Sequence, residues 1–102
     1  MLNIATKDGP KAVESLGELN IYGARCFAHQ RNNTPGWFAV AEYATGKQIG
    51  VGETIQAAQT QARCYIKMRA KQTSSNPRRL LEESIKQELA QHGAVNEPQE
   101  GA

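Results

Sequence analysis

The residues able to do covalent or acid–base chemistry are few. They are two cysteines, Cys26 and Cys64, and two histidines, His29 and His92. A thiol beside an imidazole would make a nucleophile. Cys26 and His29 are three residues apart in a segment with strand character, so their side chains leave opposite faces. His92 falls in the last turn of an expected helix, where a partial positive charge suits the helix dipole. The cysteines form no CxxC pair and have no histidines at zinc-ligand spacing. Cys26 and Cys64 therefore read as small apolar residues.

Gly46-Lys47 suggests a phosphate loop, but the glycine required five residues earlier is Ala41, and Gln48 replaces the magnesium-binding hydroxyl. Gly46, Gly50 and Gly52 belong to a hairpin and its return strand, not to a helix entry that cradles a dinucleotide. Glu42 and Glu53 flank that hairpin, and Glu42 reads as a solvated carboxylate. Catalytic residues, metal ligands and cofactors are all expected to be absent.

Charge is more informative. From Thr54 to Leu81 there is no Asp or Glu. The window holds Arg63, Lys67, Arg69, Lys71, Arg78 and Arg79. Arg63, Lys67 and Lys71 are four apart, one line down a helix. The line suits phosphates, or it is a solvated face whose cations favour a helix C-terminus. Arg31, in a loop, would add a second contact. These seven are the candidate binding residues. Beyond Leu81 the chain turns acidic, with Glu82, Glu83, Glu88, Glu97 and Glu100. Leu81, Ile85 and Leu89 form a stripe too narrow for a fully buried helix. It either packs back on the domain or meets a partner helix, a second copy included.

The elements that would position these residues fit one domain of 102 residues with net charge +2. No apolar run approaches the roughly 20 residues of a membrane helix. Residues 1–10 lack a basic segment followed by an apolar core, so a secretory signal is not expected and the chain is read as cytoplasmic. Residues 1–8 read as flexible. Asp8-Gly9-Pro10 reads as a helix start, followed by a short helix over residues 11–16. Residues 19–30 read as one strand. Residues 37–43 and 48–52 read as two more, joined by a turn at Gly46. Thr54 caps a long helix to about Lys71, with Ile55, Ala58, Ala62, Tyr65, Ile66 and Arg69 on its inner stripe. Residues 72–76 are a linker. Asn76-Pro77 opens a C-terminal helix over 77–92, and 93–102 reads as a disordered tail. The expected fold is α+β: a three-stranded antiparallel sheet packed by one long helix, with a short N-terminal helix and an extra C-terminal one.

The order helix–strand–strand–strand–helix over residues 9–70 resembles the double-stranded-RNA-binding domain. The stretch from Gly46 to Thr54 looks like that family's third strand and helix entry, and Ala58 and Ala62 like its packing alanines. The resemblance implies that Thr34-Pro35-Gly36 lies in the loop that reaches a minor groove, and that Glu14 or Glu18 makes 2′-hydroxyl contacts. The family's lysine clamp is missing, since residues 54–61 carry no charge. The hairpin and helix entry over residues 37–66 are also similar to small antitoxins with a partial ribonuclease-H-like fold.

Two functions follow as expectations. The first is a non-enzymatic regulator or inhibitor, of the kind carried by phages and other mobile elements, docking on a larger protein or nucleic-acid-containing complex. The second is a nucleic-acid-binding module using the basic line of the long helix.

Overall fold

The computed structural model describes residues 1–31 and 34–97. Six strands precede two helices: β1 (Leu2–Thr6), β2 (Gly9–Val13), β3 (Gly17–Ile21), β4 (Ala24–Gln30), β5 (Phe38–Glu42), β6 (Gln48–Gly52), α1 (Ile55–Gln72) and α2 (Pro77–His92). Strands β3 to β6 form an antiparallel sheet in sequence order, and β1 pairs with β2 as a separate hairpin. The helices cover one face of the larger sheet and the hairpin covers the other. Ile21, Cys26, Val40, Ala58, Ala62, Ile66 and Leu81 are buried together on the helix side. Val13, Phe27, Ala41 and Tyr43 are buried on the other side, under Leu2 and Ile4 of β1.

Contact between α1 and β6 is unusually close because neither surface carries bulk. A Cβ built on Gly50 would collide with the Ala58 carbonyl and lie 2.8 Å from the Ala62 Cβ. One built on Gly52 would lie 2.6 Å from the Ala58 nitrogen. Thr54 starts the helix by accepting the Ala57 N–H, so the chain turns from strand to helix within two residues. Asn76 does the same for α2, accepting the Arg79 N–H ahead of Pro77. No helix among the described residues is long and apolar enough to cross a membrane.

The three-stranded sheet and the N-terminal helix are not what the chain forms. The segment expected to be one strand over 19–30 breaks at Tyr22-Gly23, which have φ of 47° and 89°. Two consecutive positive φ values make the tight turn that suits strand twist, and the Asn20 side chain accepts the Gly23 N–H at 2.8 Å. A tyrosine in this conformation lacks the Asn-Gly signature, which hid the fourth strand. The helix expected over 11–16 is instead largely β2. Asp8-Gly9-Pro10 lies at a hairpin turn, with Thr6 opposite Gly9 and Ala5 opposite Pro10. Pro10 stands at a position whose N–H would face outward, so it costs the ladder nothing. Leu16, expected inside, is exposed.

β1 occupies residues 2–6, which the sequence suggested were flexible. It is tied to the far end of the chain. The Asn96 side chain accepts the Asn3 N–H at 2.7 Å and donates to the carbonyls of Asn3 and Tyr43 at 2.8 and 2.7 Å. The Val95 N–H meets the Ala44 carbonyl, and the Ala5 N–H meets the Gly46 carbonyl. The Tyr43 hydroxyl donates to the Glu97 carbonyl at 2.7 Å. Residues 98–102, expected to be disordered, lie outside the described residues.

Glu42 is buried, not solvated. Its two oxygens accept the N–H groups of Ala44 and Thr45, holding the β5–β6 turn against which the 95–97 segment packs.

Two stability measurements check this packing. Gly50→Val should lower unfolding free energy by about 3 kcal/mol in denaturant titration, the upper range for overfilling a packed site. Asn96→Ala should cost about 2–3 kcal/mol through its lost buried hydrogen bonds. It should also speed amide exchange in β1 and β2 more than in β4 and β5.

Candidate docking groove and cationic flank

Helix α1 divides the surface on its side of the sheet in two. Gln61, Tyr65, Met68 and Arg69 lie on the flank toward β6, and Arg63 and Lys67 on the flank toward β3. Between the first flank, the outer edge of β6 and the wall formed by Leu80, Glu83, Ser84 and Gln87 of α2 lies a groove of about 750 Å³. Tyr65 and Met68 on its rim are 45% and 53% exposed. Both are large apolar side chains that the fold does not bury.

The groove floor is an edge strand. Among the described residues β6 pairs only with β5. Phe38–Gly52 and Val40–Gly50 face each other on either side of Ala39–Val51, and Ile49 is the extra residue of a bulge opposite Val40/Ala41. The Val51 N–H points away from the sheet, into the groove, and is capped by the Gln61 side-chain oxygen at 2.5 Å. The opposite edge is covered differently. The Arg63 guanidinium donates to the Asn20 carbonyl of β3 at 3.0 Å, and the Arg78 guanidinium carbon lies 3.1 Å from where a Gly23 Cβ would stand.

The expected binding cations are therefore not one surface. Arg63 and Arg78 meet the chain at Asn20 and Gly23, with Lys67 and Lys71 further along the line of Arg63 on α1. Lys67 and Lys71 are exposed and pair with no carboxylate among the described residues. Arg78 meets Glu82, and Arg79 meets Glu83, both at 3.3 Å. Such exposed i,i+4 pairs contribute only tenths of a kcal/mol. Arg31 follows β4 at the opposite end of the sheet from that turn. Arg69 belongs to the groove: it donates to the Tyr65 hydroxyl at 3.2 Å, with its guanidinium 5.9 Å from that ring. Among the described residues Arg69 has no carboxylate partner.

Of the leucine stripe, Leu81 is buried in the core and Ile85 packs against it, while Leu89 is half-buried. The sequence missed the groove because Tyr65 counts as an inner residue on helical spacing. It sits three residues after buried Ala62, at the margin of the apolar stripe, where side-chain length alone decides exposure.

The chemistry-bearing side chains stay apart. Cys26 lies on the helix side of the sheet, and burial, then the Glu42 charge, push its thiol up to about 12. It remains a protonated, unreactive thiol at neutral pH. His29 faces the hairpin side beside Phe27, with ring centroids 5.9 Å apart. Cys64 is exposed on the groove side, and both cysteines are free. No three His, Cys, Asp or Glu among the described residues could hold a metal ion. The Glu18 carboxylate, a candidate for sugar contacts, pairs with Arg25, whose guanidinium stacks 3.7 Å over the Tyr43 ring.

No protein-family model, curated protein or solved structure matches this chain.

His29 is 2% exposed. Its Nδ1 meets the Gln30 carbonyl at 3.0 Å, and its Nε2 is buried with no partner among the described residues. Burial holds the imidazole below its ordinary value of 6.5. The unfolded chain therefore takes up a proton before the folded one does as pH falls. Stability contributed by neutral His29 is present above pH 6.5 and is lost as pH drops toward the folded-state value. Unfolding free energy measured from pH 7.5 down to 5 should decline, and His29→Leu should flatten that decline.

Proposed function

We propose that this chain is a non-enzymatic binding protein that regulates or inhibits a larger assembly by docking on one of its proteins. The groove beside β6 is the contact face. The observation that carries this reading is the exposed pair Tyr65 and Met68 beside an unpaired strand edge, since a small domain seldom leaves large apolar side chains at the mouth of a groove without use. Aromatic and methionine side chains are the types enriched at protein contact surfaces. The separation of thiol and imidazole by the sheet supports a role without covalent chemistry.

A second reading is favoured by one separate observation: Arg63 and Arg78 meet beside the Tyr22–Gly23 turn, and exposed Lys67 and Lys71 continue the line of Arg63 along α1. That flank suits a polyanion such as nucleic-acid backbone, which cations recognise through counterion release.

The two readings are separable. Immobilised protein should retain a partner from nuclease-treated extract of its native host. Tyr65→Ser with Met68→Ser should abolish retention while changing unfolding free energy by about 0.5 kcal/mol or less, as for surface substitutions. Lys67→Glu with Lys71→Glu should leave retention intact. Loss on nuclease treatment, steep salt dependence and sensitivity to the charge reversals instead would favour the polyanion.

A further inference from the structure

We infer that the groove takes an extended segment of another protein as a fifth strand along β6, with a carboxylate side chain of that segment on Arg69. This rests on the groove being the contact face. It adds the mode and the chemistry of the occupant.

The backbone supplies the first argument. Val51 presents its N–H outward because Ala39–Val51 lies between two hydrogen-bonded pairs of the β5–β6 ladder. The Val51 carbonyl faces the same way. An edge with an outward N–H and C=O is a template for another strand. The Gln61 amide oxygen now stands where the carbonyl of that strand would stand. Gln61 is exposed on a helix, so a rotamer change releases it at little cost. At the other edge, the Arg63 guanidinium takes the outward Asn20 carbonyl of β3, as Gln61 takes the Val51 N–H here.

Side chains and charge supply the second. Alternate residues of an added strand face the helix side of the sheet, where Tyr65, Met68 and Leu80 offer an apolar wall. The groove's charges are mostly neutralised within the chain. Glu83 meets Arg79 at 3.3 Å and Lys47 meets Glu88 at 3.6 Å. Among the described residues the Arg69 guanidinium meets only the Tyr65 hydroxyl and ring. Its fork of donors, exposed at the groove, is complementary to a carboxylate. The occupant is thus an extended segment with apolar residues at alternate positions and one Asp or Glu. A second copy of this chain would instead bring another Lys47 and Arg69 to the same edge.

The test pans a displayed library of random twelve-residue peptides against the full chain and measures the enriched peptides by fluorescence anisotropy. Alternating apolar residues with one acid are expected. Val51→Pro removes the outward donor while sparing the ladder to β5, and should weaken binding by roughly tenfold or more. Gln61→Ala removes the competing cap and should tighten binding several-fold, a gain that misfolding cannot imitate. Arg69→Ala should weaken binding of the acidic peptide and not of its amide counterpart. If binding is lost with Tyr65→Ser but is indifferent to Val51→Pro and Gln61→Ala, the strand mode is overturned and the groove remains the contact face. If no peptide is enriched, or none responds to any groove variant, both readings fail. Doubling of the apparent mass, abolished by Val51→Pro, would make the occupant a second copy and overturn the partner proposed here.

Discussion

The backbone-to-backbone approach of α1 and β6 sets the rest of the molecule. Gly50 and Gly52 leave the strand bare, and Ala58 and Ala62 leave the helix bare. The two elements therefore meet at a height that larger residues would forbid. At that height a glutamine on one flank of α1 reaches the outer edge of β6 and an arginine on the other flank reaches the outer edge of β3. One helix thus caps both edges of a four-stranded sheet. Raised by the thickness of a methyl group, neither side chain would arrive with the same geometry. Ile66 and Ala70, further along the buried stripe, lie beyond the glycines, where α2 brings Leu81 into the same core.

The sheet also partitions the chemistry. Each of its faces has its own apolar cluster, one under helices and one under a hairpin. Alternation along β4 sends Cys26 to the first and His29 to the second. The two residues best suited to catalysis are thus kept apart by a layer of backbone. The buried carboxylate has a local task as well. Glu42 receives two turn amides, one on each carboxylate oxygen.

The second half of the fold was legible from local signals. Thr54, Asn76-Pro77 and Gly46 punctuate the chain through capping and turn chemistry that needs no tertiary partner. The first half was not. Tyr22-Gly23 adopts a turn with tyrosine where Asn, Asp or Gly usually precedes the glycine, so two strands read as one. Pro10 is equally at home at a helix start and at an outward strand position. Only pairing with Leu2–Thr6, which short polar-flanked segments do not announce, selects the second. For the site, sequence located the cations but could not divide them. Arg69 and Lys67 are two residues apart and face different flanks, a fact that depends on which way α1 rolls on the sheet. The groove has no sequence signature, because an open edge is defined by what fails to pair with it.

The clasp between Asn3 and Asn96 spans 93 positions, and this has a bearing on the order in which a ribosome delivers its two halves. The β1–β2 hairpin is made well before the side chain that fastens it. Until Asn96 is made, the cover over the apolar face carrying Phe27 and Tyr43 lacks this clasp. Before that, the hairpin of a neighbouring chain would fit the same face. Such an exchange would leave every strand pairing in the larger sheet intact, so swapped and unswapped molecules would share one sheet and differ only in whose hairpin covers it.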